Sequence, residues 1–173
     1  SLKKTLSFIS KHEPDDVAFF RSCNVTLRAW QKLFEESHIY SLTSESVTPR
    51  FARCLARVPV EFSHEKQSWV QINTLFDYFD TGLMSADDFL SLFEGEILAS
   101  WAYTLHCAAL EENKPNLTGI TKFYSVWKGR VFGQLSKCTK SHLALRGDLM
   151  VCRHFFGGLE MIRALVESDK ARL

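Results

Sequence analysis

Apolar side chains recur every three or four residues along most of the chain. Over 85–110, Phe89, Phe93, Ile97, Trp101, Leu105 and Ala109 are spaced by four. That spacing lays them along one stripe of a helix. Over 117–135 the same period runs through Ile120, Phe123, Trp127, Val131 and Leu135. Over 148–166 it runs through Leu149, Cys152, Phe155, Leu159, Ile162 and Val166. No segment alternates with period two between hairpin turns. The pattern predicts an all-α chain.

Boundary signals divide it into about seven helices, over about 2–11, 15–36, 45–57, 65–79, 85–112, 117–135 and 139–170. The first stops near His12-Glu13-Pro14, the third at Val58-Pro59, the fourth before Thr81-Gly82 and the fifth at Asn113-Lys114-Pro115. Asp15 and Asp16 suit the N-terminal dipole of the second. Short connections predict antiparallel neighbours. An aromatic residue also sits inside the first helix of three successive pairs, as Trp30, Phe76 and Trp127, at spacings of 46 and 51 residues. Repeated helical pairs cannot bury their stripes singly and must stack. The prediction is one domain over 1–173, built of stacked antiparallel helical hairpins as an irregular HEAT-like α-solenoid.

One stretch, "LFDYFDTGLMSADDFLSLF" at 75–93, imitates a calcium loop. With Gly82 at the sixth position, Asp77 stands first and Asp88 twelfth. The third position is Phe79, which offers no oxygen, and the fifth is Thr81, a neutral hydroxyl. A hard divalent ion needs six or more oxygens, and the terminal bidentate Glu is replaced by the shorter Asp88. A helix–turn–helix corner accounts for the same residues. Gly82 supplies a left-handed turn, Ser85 caps the next helix, and Asp88 lies three residues beyond the cap.

Composition narrows the class. The chain has 173 residues, 46% hydrophobic and 24% charged, enough for an ordinary packed domain rather than a disordered one. No apolar run approaches the roughly 18 residues of a membrane span. Five cysteines with no CxxC pair fit a reducing compartment. The sequons at Asn24 and Asn116 fall in or beside helical pattern and read as coincidental. The net charge of +1 conceals a gradient. Residues 1–119 carry 11 Lys and Arg against 16 Asp and Glu, whereas 120–173 carry 10 against 4, a net +6. The basic third reads as a solvated helix face or as a contact for RNA or an acidic partner.

Candidate chemistry is sparse. Cys138, His142, Cys152 and His154 raise the question of zinc, but Cys152 and His154 are two apart on a helix and point in different directions. Their spacing matches no common zinc module, and Cys152 falls on the apolar stripe and reads as core. There is no nucleophile elbow, phosphate-binding loop, dinucleotide fingerprint or HExxH helix. No catalytic residue, cofactor or metal is expected. Gly95, Gly129 and the pair Gly157-Gly158 interrupt helices, each at a cost of about 1 kcal/mol. They mark close backbone approach, a bend, or a groove for a partner.

The segment "ITKFYSVWKGRVF" at 120–132 resembles the GCFC domain of the tuftelin-interacting-protein family, whose members act in spliceosome disassembly. The family has an aromatic pair, then Trp-Lys, before a helix ending Phe-x-x-Ala-Leu-Asp-x-Met. The matching positions here are Phe123-Tyr124, Trp127-Lys128 and the run from Phe155 through Leu159 to Ile162. "LRAWQKLF" at 27–34 looks like the family's Trp-Lys-x-x-Phe unit, with Trp30 and Phe34. "VTPRFARCLARV" at 47–58, with Pro49, looks like its Val-Pro-Lys-Leu-Ala helix, and Trp101 stands at the matching Trp of the long helix. The ordered set covers about 27–166. It departs in having Phe76 where Trp is usual, about four extra residues before the long helix, and Gly158 in place of Ala.

The resemblance implies that Trp30, Phe34, Pro49, Trp101, Phe123, Tyr124, Trp127, Lys128 and Leu159 are signature positions, structural in role. It implies a non-enzymatic scaffold in a nuclear splicing factor, with spliceosomal proteins as partners. The family's glycine-rich motif that stimulates a DEAH-box RNA helicase is not in these residues, so a helicase complex would be reached through other parts of the full-length protein. The alternative is a nucleic-acid-binding helical domain of a related nuclear factor, contacting RNA through basic residues in 120–173.

Overall fold

The computed structural model describes residues 1–63, 65–111, 115–138 and 141–171, the last of these with side chains from Leu149 onward. All regular structure among them is helical. The elements are α1 (Leu2–His12), α2 (Asp16–Gln31), α3 (Glu36–Ser46), α4 (Thr48–Leu55), α5 (Val70–Asp80), α6 (Ala86–Leu92), a π-helical turn (Phe93–Leu98), α7 (Ala99–Ala109), α8 (Leu117–Leu135) and α9 (Ser141–Lys170).

The helical character matches the periodicity, and the segmentation is finer than about seven helices. Residues 37–44, read as connection, lie within a helix of their own, α3. Pro49 lies in the first turn of α4, where its missing N–H is no loss, and so separates α4 from α3. The helix expected over 85–112 is realised as α6, the π-helical turn and α7. The helix expected from 65 begins only at Val70. Before it, the Gln67 side chain accepts from the Glu61 backbone N–H at 2.7 Å and donates to the Pro59 carbonyl at 3.0 Å, holding a loop in place of a helical turn.

Residues Ser1–Val58 with Ser68–Phe93 form one compact unit, and Pro59–Gln67 with Glu94–Leu173 a second. The core of the first is aromatic. Phe20 stacks on Phe51 at 3.8 Å between centroids, and Tyr78 meets Phe51 edge-on at 5.0 Å. The Tyr78 hydroxyl donates to the Phe20 carbonyl at 2.5 Å, which satisfies its one polar atom in a buried site. Arg50 closes the edge of this core. Its guanidinium lies 4.0 Å over the Phe19 ring, pairs with Asp16 at 2.7 Å and donates to the carbonyls of Glu13 and Pro14.

The corner at 80–86 has the geometry read from the sequence. Gly82 has φ 71°, the left-handed conformation that an L side chain resists. Its N–H bonds to the Phe79 carbonyl and that of Leu83 to the Tyr78 carbonyl, the paired bonds of a Schellman stop. Ser85 Oγ accepts from the Asp88 N–H at 3.2 Å and starts α6. The Gln31 amide reaches the carbonyls of Thr81 and Gly82 and ties the end of α2 to the same corner.

In the second unit, α7, α8 and α9 pack on one another around Trp101, Phe123, Trp127 and Phe155, all buried. Trp101 lies 4.5 Å from Phe155 and 6.3 Å from Phe123, centroid to centroid. Phe62 of the Pro59–Gln67 loop covers Phe123 from outside at 5.4 Å, and the Thr104 hydroxyl donates to the Val60 carbonyl.

Candidate functional site

Helix α9 carries two apolar stripes, not one. Val151, Phe155, Gly158 and Ile162 are buried, three or four residues apart. Leu149, Cys152, Phe156 and Leu159 form a second stripe, rotated around the helix from the first. On it Leu149 and Phe156 are each 62% exposed, Cys152 is exposed and Leu159 half-buried. This corrects two readings. The buried stripe is not the one through Leu149, Cys152 and Leu159, and Cys152 is not a core residue.

The cause lies at Gly158. A Cβ there would stand 2.9 Å from Trp101 Cη2 and 3.0 Å from Leu105 Cδ2. The Trp101 indole therefore rests against bare backbone, and α9 is rotated to bring its glycine under that ring. An alanine at this position would press its methyl into the Trp101 ring. Gly157, its neighbour, has nothing within 4 Å of a Cβ, and the same holds for Gly95 and Gly129. Of the helix-interrupting glycines singled out, only Gly158 marks a close approach.

Along the exposed stripe, α8 and α9 leave a groove of about 430 Å³. Its floor is Tyr124, Phe132 and Phe155, and its wall is Leu149, Phe156 and Leu159. The Tyr124 hydroxyl donates to the Phe155 carbonyl at 3.0 Å, which fixes the ring. Two cations border the groove. Lys128 Nζ lies 5.7 Å from the Tyr124 ring centroid, and Arg153 is exposed on α9. The other flank of α9 has a second groove of about 410 Å³, bounded by Trp101, His106, His154, Gly157 and Met161. There His154 Nε2 lies 3.3 Å from a Glu94 carboxylate oxygen.

The signature positions divide between the two units. Trp101, Phe123, Tyr124 and Trp127 are brought together as core, and Lys128 and Leu159 flank the groove. Trp30, Phe34 and Pro49 lie in the first unit. Trp30 stacks on Phe34 at 5.4 Å and Phe34 on His38 at 5.5 Å, an outward ladder in which Phe34 is 37% exposed. Pro49 is exposed. The first unit also has a cleft of about 510 Å³ with a mixed lining, in which Arg21, Arg28, Asn24, Thr74 and Asp77 stand beside Val17, Val25, Val70 and Tyr78. Partial burial, with Asp80 nearby, raises the Asp77 carboxyl above its ordinary range.

The metal candidates have other engagements. Thr81 Oγ donates to the Asp77 carbonyl at 2.6 Å, Asp88 accepts from Thr48 Oγ at 3.4 Å, and Phe79 is buried. Of the four zinc candidates, the His142 side chain lies outside the described residues. Cys138 Sγ donates to the Gln134 carbonyl, Cys152 faces the groove and His154 faces Glu94. Among the described residues, no three His, Cys, Asp or Glu side chains are grouped to hold an ion. No helix among them is long and apolar enough to cross a membrane. Burial pushes the Cys23 thiol up to about 12 and the Cys54 thiol to about 11.

Sequence reasoning missed the exposed stripe, although a signal for it existed. Phe155 and Phe156 are consecutive, and consecutive helical residues point about 100° apart. Burying both rings needs cover from two directions, which Phe19 and Phe20 on α2 and Phe123 and Tyr124 on α8 receive and Phe156 does not. No family model matches the chain, and no curated protein matches it.

Proposed function

We propose that the chain is a non-enzymatic protein-interaction scaffold of a nuclear factor acting in pre-mRNA splicing and spliceosome disassembly. The observation that carries the interaction role is the exposed Leu149–Phe156 stripe, set on a helix whose other face is already buried. A solvent-facing pair of large apolar residues beside a groove is what a docking surface needs. The nuclear and spliceosomal assignment is supported by the ordered signature over 27–166. Four of its aromatic positions, Trp101, Phe123, Tyr124 and Trp127, build one packed core, as a structural signature would.

The mechanism is presentation. α7 and α8 hold α9 rigidly through Trp101 and Phe155, and α9 offers its outer stripe to a partner. Affinity capture from nuclear extract tests the assignment. Spliceosomal proteins should co-purify above a bait of unrelated helical fold, and their absence overturns it. A DEAH-box helicase complex would join through parts of the full-length protein outside these residues.

One observation favours the second reading, an RNA-contacting domain. Lys122, Lys128, Arg130, Lys137, Arg153 and Arg163 are all exposed. Binding of single-stranded RNA that falls steeply with salt would support it. Partner binding that is insensitive to salt supports an apolar docking surface.

A further inference from the structure

We propose that the groove between α8 and α9 receives one short amphipathic helix of an acidic partner protein. Two apolar anchors would lie against Leu149 and Phe156, with carboxylates facing Lys128 and Arg153. The inference deepens the scaffold reading and rests on it for the occupant being a protein.

Charge decides the sign of the partner. Neither Lys128 nor Arg153 has a carboxylate within ion-pair distance among the described residues. The nearby Glu160 is already held by Arg163 at 2.9 Å. Both cations border an apolar floor, where a carboxylate would be partly shielded from water and its attraction strengthened.

Length decides the form. The stripe from Leu149 to Leu159 runs roughly 15 Å along α9 at 1.5 Å per residue, about three helical turns. That suits anchors at i, i+3 or i+4 and i+7 of a docked helix.

Ring exposure argues against a nucleic acid. Base stacking needs open ring faces on a cationic track. Tyr124 is 7% exposed, Phe155 2% and Phe132 half-buried, which leaves Phe156 as the one exposed ring of the groove's four.

Selection of a display library of random peptides, about 16 residues long, against the 173-residue chain tests the proposal. Enriched sequences should be acidic, with apolar residues three or four apart. A synthetic peptide of the enriched sequence should bind at least about tenfold more weakly to Leu149→Ala or Phe156→Ala, the usual scale for a central anchor. The double reversal Lys128→Glu, Arg153→Glu should weaken it comparably. All four side chains are exposed or at a groove edge, and circular dichroism would check that each variant keeps its helicity. The peptide should also slow maleimide reaction at Cys152 and leave Cys107, exposed on α7, unchanged.

No enrichment, enrichment of basic sequences, an unprotected Cys152, or protection of Cys152 by a single-stranded RNA instead would each overturn the proposal. Two further results separate it from the broader reading. If nuclear capture yields spliceosomal proteins equally with Phe156→Ala, and no acidic peptide is enriched, the groove assignment falls and the scaffold stands. If acidic peptides bind as described and capture yields no spliceosomal protein, the groove stands and the spliceosomal assignment falls.

Discussion

Phe155 and Phe156 are neighbours in sequence and opposites in environment. Phe155 is 2% exposed and touches Trp101, Tyr124 and Phe132, whereas Phe156 is 62% exposed at the groove wall. Identical side chains one residue apart thus do different work. One holds α9 on α7 and α8, and the other faces whatever comes from outside. A helix that is hydrophobic all round is buried. On α9 one stripe is buried by its own unit and the other is open to solvent.

The largest expected effect lies in that pair. Phe155→Ala should destabilise the fold by about 3–5 kcal/mol through lost burial and a residual cavity. Phe156→Ala should change it by no more than about 0.5 kcal/mol, as for surface positions. Urea unfolding followed by tryptophan fluorescence measures both, and equal losses would abolish the distinction between the two stripes.

The adjacent glycines sharpen it next. Gly158→Ala should destabilise by about 1–3 kcal/mol, because the new methyl meets a buried indole that cannot yield. Gly157→Ala should stabilise by about 0.5–1 kcal/mol, since it gains helix propensity in open space. Opposite signs in thermal unfolding confirm where α9 touches α7, and a stabilising Gly158→Ala would move that contact elsewhere.

The thiols extend the contrast to chemistry. Cys152 and Cys107 are exposed, whereas Cys23 and Cys54 are buried. The thiolate is the reactive form, and burial withholds it. In native protein at pH 8, mass spectrometry after brief maleimide treatment should find Cys152 and Cys107 modified and Cys23 and Cys54 intact. Modification of Cys23 ahead of Cys152 would contradict the placement of both.

The smallest effect is on pH dependence. Folding raises the Cys23 thiol from its ordinary 9.0 to about 12. Between those values the unfolded chain releases this proton and the folded chain retains it, so stability falls as pH rises through that window. Cys23→Ala should flatten that part of the stability–pH curve. An unchanged slope would show that Cys23 is solvated.

Much of the architecture was legible along the chain. The four-residue spacing from Phe89 to Ala109 announced helix, and every one of those six positions is buried. Gly82 and Ser85 announced a stop and a start, because a left-handed residue and a capping hydroxyl act within three residues of themselves. The break at Pro49 is written in the sequence, and the strict four-residue spacing over 89–109 outruns the 3.6 residues of an α-helical turn, a drift that the wider π-helical turn at Phe93–Leu98 takes up in part.

Local chemistry fixes which residues become helical and where many helices begin and end, since those preferences depend on neighbours a few positions away. It also supplied the apolar residues of α9. Which of its two stripes would be buried was decided only when the chain folded. Trp101, more than fifty positions earlier, needed a site without a Cβ, and Gly158 was that site. Rotating α9 to satisfy one indole turned Leu149 and Phe156 outward, and spacing within a single helix holds no record of that choice.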